Sequence, residues 1–339
     1  AKSFGYSAPL DGIFLVPPGS PPTEAFSLGL PESVPSQSGA RIVETARALG
    51  YNWAQCYLFV RNQIRFSPNR GVLRGPERTL LDREGNDADQ AFLLLALLRA
   101  SGYADTAVRY ADGVGSFVSM PLGGSAEGYD AASWTGVPST GTVMTVAGRV
   151  ANVLNGNAIW IISTNSTVLT SKLYVEHFWV RIRLNSSWYD LDPSFKPRQR
   201  TPRSDTLPSD MGYDRALLLQ KVGGTARLAY SVSGLDANRL EGELDRLATN
   251  LVERWRSSDR DLPVSAVIGT DEIVPQDLAE DPSVFHGTTN GSSSVDFLAQ
   301  TNAFKNALRY ALRLEHAGFT NTFWLDEVNT RRLWLSYTN

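Results

Sequence analysis

At 339 residues, 42% of them hydrophobic and 20% charged, the chain can bury a substantial core and reads as globular rather than disordered. A net charge of -3 gives no electrostatic case for nucleic acid or an anionic membrane, and the longest apolar run, Ala91 to Leu98, is too short to span a bilayer. One cysteine, Cys56, excludes an intrachain disulfide and a Cys-rich zinc site, and the three histidines stand far apart without ligand spacing, so no metal or cofactor is expected.

Residues 1–38 are rich in Pro, Gly and Ser and read as an extended arm with little secondary structure. Residues 40–66 read as two helical pieces broken at Gly50-Tyr51-Asn52. Arg70 to Glu84 reads as a basic, Gly-containing connection. Residues 87–100 form a helix that is apolar almost all round and therefore buried. Thr106 to Ala111 is a strand, and Gly113 to Ser139 is a long Gly/Ser-rich excursion, either a lid or an insertion. Val143 to Leu154 is a helix ending at Asn155-Gly156, and Ala158 to Ser163 is a strand. Val175 to Leu184 alternates, with Phe178, Val180, Ile182 and Leu184 on one face and His177, Trp179, Arg181 and Arg183 on the other. After a turn at 185–187, Trp188 to Asp192 returns as a second strand. A basic loop over 196–203 leads to an amphipathic helix carrying Leu240, Leu244, Leu247, Leu251 and Trp255. Ala307 to Leu314 and Thr322 to Tyr337 read as strands, with a helix over 304–316 as the alternative. The stop at Asn339, just after a strand-like stretch, reads as a fragment of a longer polypeptide.

A helix start, then a histidine, then an aspartate is the chain order of a Cys-His-Asp acyl-transfer site. A helix N-terminus activates a thiolate, and a strand histidine oriented by a carboxylate serves as its base. Here Asp87 stands where the thiol is expected. A two- or four-residue turn at 185–188 sets Asp192 opposite Trp179 or Arg181, on the same face as His177; a three-residue turn without a bulge separates them.

Gly85-Asn86-Asp87-Ala88-Asp89-Gln90 with the helix to Gly102, Glu176-His177-Phe178-Trp179-Val180, and Trp188 to Pro193 together resemble the transglutaminase-like superfamily over residues 40 to 197. The Gly-Asn start, the Asp-Gln pair and Asp192-Pro193-Ser194-Phe195-Lys196 are similar to the transglutaminase-like modules of bacterial RHS/YD-repeat surface or secreted proteins. The resemblance implies amide acyl transfer, deamidation or proteolysis through a thioester, with the nucleophile position at Asp87 and His177 and Asp192 as the other two members. It also implies an extracytoplasmic bacterial setting and the remainder of a longer polypeptide as a partner.

The expected architecture is α+β: a buried helix on an antiparallel sheet carrying His177 and Asp192, within a transglutaminase-like core over 39–200. An arm precedes it over 1–38, a loop and bridging helix follow over 201–262, and a β-rich segment occupies 263–339. Two functional readings stand. In one, the module is non-catalytic and binds peptide or glycan in a cleft lined by Trp179, Trp188 and Trp134, with Asp89, Gln90 and Glu176 beside it. In the other, Asp87, Asp89, Glu176 and Asp192 act as acid and base in a divergent glycan or peptide hydrolase, or His177 with Asp192 activates water. Each residue also has a structural reading. Asp87 with Gln90 fits a capping box, Asp89 compensates the helix dipole, and Asp192 or Asp190 pairs with an arginine across the hairpin.

Overall fold

The computed structural model describes residues 12–18, 39–112, 118–123, 130–156, 161–164, 172–201, 206–228, 231–258, 263–277, 294–316 and 319–329. They form a mixed helix-and-sheet protein of two compact units, Ala1–Arg198 with Ile273–Asn339, and Gln199–Glu272. No described helix is long and apolar enough to cross a membrane.

The first unit begins with strand β1 (Gly12–Val16), the part of the expected arm that lies within the described residues. Helices α1 (Ala40–Ala48) and α2 (Trp53–Gln63) follow, separated at Gly50 and Tyr51, whose φ angles are 65° and 53°. The Asn52 side chain then accepts from the backbone N–H groups of Ala54 and Gln55, which starts α2. Beyond β2 (Arg65–Phe66) the stretch expected as a connection contains a helix, α3 (Gly75–Asp82). Pro76 sits in its first turn, where a missing N–H costs nothing, and Thr79 and Leu80 turn inward. Eight residues are too few for periodicity to announce such a helix.

Strand β3 (Glu84–Gly85) leads into α4 (Asp87–Ala100). Every residue from Asp87 to Leu98 is buried, and Phe92, Leu93, Leu94, Leu95, Leu97 and Leu98 are fully so. Each of those side chains contributes roughly 1.5–3 kcal/mol of transfer free energy, which makes α4 the axis of the core. It lies against a four-stranded antiparallel sheet of order β14-β4-β8-β9, comprising β4 (Thr106–Ala111), β8 (His177–Leu184), β9 (Ser187–Leu191) and β14 (Val295–Asp296). Leu184 pairs with Ser187, so the β8–β9 turn has two residues, Asn185 and Ser186, with φ of 48° and 70°. Such a turn matches the twist of the strands it joins. Leu191 pairs with Val180, so Asp192 falls level with Trp179 and shares its side of the sheet with His177.

Between β4 and β8 the chain builds β5 (Val118–Pro121), α5 (Ala131–Thr135), α6 (Val143–Gly156), β6 (Ile161–Thr164) and β7 (Lys172–Val175). Strands β5, β7 and β6 form their own sheet, and residues of β5, α5, α6 and β7 pack with Phe66, Ala111, Trp179 and Phe195 in a second apolar core distinct from that of α4. The rest of the expected excursion lies outside the described residues.

After β14 come α11 (Asn302–Asn306), β15 (Ala311–His316), β16 (Phe319–Trp324) and α12 (Leu325–Val328), and β15 pairs with both β1 and β16. This segment is part of the first unit rather than a separate module. Val72 N–H donates to the Leu308 carbonyl at 2.8 Å, Tyr310 N–H to Val72 at 3.2 Å, and the Asn329 amide to Leu73 and Arg74. The loop before α3 is thereby stitched to the chain's last described residues. His286 and residues 330–337 lie outside the described residues, and His316 ends β15.

The second unit holds α7 (Leu207–Met211), α8 (Arg215–Lys221), β11 (Thr225–Leu228), β12 (Ser231–Ser233), α9 (Ala237–Ser258) and α10 (Val264–Ile268). Strands β10 (Arg198–Thr201) and β13 (Thr270–Ile273) pair at its chain ends. On α9, Leu247 is buried and Leu244 half exposed.

Candidate functional site

The start of α4 sets the site. Asn86, not Asp87, is the helix cap: its Oδ1 accepts from Asp89 N–H at 2.8 Å, while its amide donates to the carbonyls of Asn69 and Gly71. With the cap already filled, no box forms between Asp87 and Gln90. The Asp87 carboxylate instead reaches across to β8. Its Oδ2 accepts from Phe178 N–H at 2.9 Å and lies 3.2 Å from His177 Nδ1. That second approach is an ion-pair distance without the alignment of a hydrogen bond.

The other ring nitrogen, His177 Nε2, is 2.7 Å from Asp192 Oδ2. Asp192 Oδ1 takes three further donors, the Ser194 N–H at 3.0 Å, the Ser194 hydroxyl at 2.9 Å and the Phe195 N–H at 3.3 Å. The Tyr57 hydroxyl donates to the Asp192 carbonyl. Asp87, His177 and Asp192 therefore form one line of charge, with solvent exposures of 5%, 0% and 1%. Burial alone pushes the His177 pKa down, but Asp192 and Asp87 on its two nitrogens overcome that and raise it to about 10. Asp192 moves the opposite way: burial raises it, and His177 and Ser194 pull it below the usual carboxylate range. Carboxylates on both ring nitrogens favour the imidazolium, the form that acts as an acid rather than as a free base.

The remaining sequence candidates are committed elsewhere. Asp89 Oδ1 accepts from the backbone N–H groups of Leu73, Arg74 and Gly75 at 3.0, 2.8 and 3.4 Å, and its pKa is raised to about 6 because burial outweighs those donors and the Arg74 guanidinium. Gln90 donates to the Gly85 carbonyl at 2.8 Å and accepts from Lys196 Nζ at 2.8 Å. Glu176 is buried on the other side of the chain from His177, accepting from the Tyr110 hydroxyl at 2.7 Å and from Arg70 Nε at 2.9 Å. Burial raises its pKa against the pull of Arg70. Trp179 is 1% exposed, stacks on His177 and donates to Asp190 at 3.0 Å. Trp134 is fully buried. Neither indole lines an opening. Trp188 is 50% exposed, but it pairs with Arg183 at the turn end of the hairpin, away from His177. The cross-strand ion pair is Asp190 with Arg181, bonded through both guanidinium arms at 2.8 Å; it involves neither Asp192 nor Arg183.

Sequence reasoning missed Arg70, Tyr110 and Lys196, and it placed Trp134 on a cleft wall rather than in a buried contact with the histidine. Arg70 and Tyr110 fix Glu176; Trp134 packs edge-on to His177; Lys196, from the basic loop, is buried with Nζ donating to Gln90 and to the Val60 and Ile64 carbonyls that end α2. Burial and the neighbouring Arg61 push the Lys196 pKa well below the lysine range. Only the Ser194 contacts had a local signal, since an Asp two residues before a Ser readily closes a turn. Among the described residues no cluster of His, Cys, Asp and Glu is arranged to hold a metal ion.

Comparison with protein-family models, with curated proteins and with solved structures gives no match.

Proposed function

We propose that this chain is a transglutaminase-like module without acyl-transfer activity, serving as a peptide- or glycan-binding part of a larger secreted or surface-exposed bacterial protein. The observation that carries this reading is the order of contacts along His177. Nδ1 meets the residue at the start of a buried helix, and Nε2 meets the aspartate that follows the next strand. That is the placement a thiolate, its imidazolium and an orienting carboxylate need, with a carboxylate in the thiolate's place.

The substitution keeps the charges and removes the chemistry. A carboxylate forms no thioester, and an imidazolium clamped between two carboxylates has no vacant nitrogen with which to take a proton from water. The hydrolase reading asks for an acid and a base facing a common substrate. Against it stand Asp89, spent on three backbone N–H groups, and Glu176, spent on Tyr110 and Arg70.

The test is an amine-incorporation and hydrolysis screen over glutamine-containing peptides and a glycan panel, with binding read in parallel. Retained ligand without turnover is the expected result. Turnover that disappears in His177→Ala contradicts it.

A further inference from the structure

Helix α9 packs on α7 and α8, yet one of its faces keeps an apolar stripe in water. Leu244, Ala248 and Val252 follow one another four residues apart and so line one side of the helix. All three are exposed, Leu244 at 50% and Val252 at 40%. Leu251 and Trp255 edge the stripe and are half-buried. The unit that carries α9 is also short of core. Among the described residues of Gln199–Glu272 the buried apolar side chains are Val222, Leu247 and Val267 alone, while Leu217, Leu235, Val264 and Ile268 stand exposed. A unit that small, enclosing so little apolar surface, is one that association stabilises.

The charges beside the stripe indicate what covers it. Glu241 and Asp245 stand exposed on its N-terminal half and Arg256 on its C-terminal half, and none of the three has an ion-pair partner among the described residues. Glu243 and Arg254, by contrast, are paired within the unit, the first with Lys221 and Arg246, the second with Asp210. We propose that α9 is a self-association surface, on which a second copy of this chain lays its own α9 antiparallel across a two-fold axis at Ala248. The small Ala248 side chain lets the two helices approach at the axis. Leu244 then lies level with Val252 of the second copy, and Glu241 beside its Arg256. A parallel pairing sets Glu241 on Glu241 and Arg256 on Arg256, so the charges select the antiparallel one. The same patch is used on both copies, which closes the contact as a dimer rather than an open chain of copies.

The test is sedimentation of the full chain from about 1 to about 100 μM. A monomer–dimer equilibrium is the expected result. Ala248→Arg, which opposes two guanidinium groups at the axis, is expected to weaken it at least about tenfold. Glu241→Arg is expected to weaken it as well, and adding Arg256→Glu to the same chain to restore it by exchanging the two charges. A second reading needs no loss of association. On mild oxidation Ala248→Cys is expected to link two copies through position 248, at least about tenfold faster than Ser257→Cys on the opposite side of the helix, with the buried Cys56 unlinked. A chain that stays monomeric at the highest concentration overturns the proposal. So does association that Ala248→Arg leaves unmoved, or linking at equal rates from positions 248 and 257. Failure of the charge exchange to restore association overturns the antiparallel pairing. None of these readouts depends on ligand or turnover, so the self-association can fail while the non-catalytic reading stands.

Discussion

Asp87 and Asp89 enter the same helix two residues apart, and both are buried, yet backbone N–H groups dominate around one and a charged ring around the other. Asp89 faces the loop before α3, where its Oδ1 gathers N–H donors from Leu73, Arg74 and Gly75 and its Oδ2 lies 3.8 Å from the Arg74 guanidinium. Asp87 faces the sheet and meets a cation, His177, which a second carboxylate holds from behind. For Asp89 burial wins, and its pKa rises to about 6; around His177 the carboxylates win, and the ring's pKa rises to about 10. At one position the acceptor atom matters, and at the other the charge does.

That contrast gives opposite mutational signatures. The largest effect is expected at position 89, where Asp89→Ala strands three backbone donors and costs roughly 3–5 kcal/mol, while Asp89→Asn, whose carbonyl still accepts, recovers about half of it. Position 87 inverts the pattern: Asp87→Asn and Asp87→Ala both cost roughly 2–3 kcal/mol, since either leaves His177 with one counter-charge. Urea unfolding of the four variants at neutral pH reads both pairs. Recovery by Asn at both positions, or at neither, breaks the distinction.

The pH profile sharpens it. A folded pKa raised above its unfolded value means stability fully present below the unfolded value and lost as pH rises through the folded one. For His177 that loss spans pH 6.5 to about 10. For Asp89 the same sign applies over a lower window, from about 4 to about 6. Asp192, pulled down, contributes stability that is present above about 4 and is lost as the medium acidifies through its lowered folded value. His177→Gln should therefore flatten the alkaline decline and leave the Asp89 window in place, which unfolding curves across pH 4 to 10 will show. The smallest effect belongs to Trp188, half exposed at the hairpin turn: Trp188→Ala is expected to move stability by no more than about 0.5 kcal/mol.

What could be read in the sequence follows the same division between local and long-range causes. The apolar run from Ala91 to Leu98 announced α4, and alternation from Phe178 to Leu184 announced β8. Parity across a short turn allowed His177 and Asp192 to share a face, and the two-residue turn at Asn185 and Ser186 selects that case. The cap was not legible, because Asn86 and Asp87 are adjacent and equally suited to it, and only the carbonyls of Asn69 and Gly71 decide for Asn86. Glu176 and Trp179 were legible as neighbours of His177 but not as buried ones. Their partners Arg70, Tyr110 and Asp190 come from other strands and loops. Trp134 was legible as a neighbour of the site but not as a buried one, because it reaches His177 through folding of the intervening chain, not through spacing. The return of residues 308–310 to Val72 likewise has no local sign.

The protonation state of His177 tests the account most directly, through the ring nitrogen chemical shifts of the unaltered protein at pH 8. An imidazolium with both nitrogens protonated is the predicted result. A neutral ring at that pH, with one bare nitrogen turned toward Asp87, contradicts it and returns His177 to the role of a base.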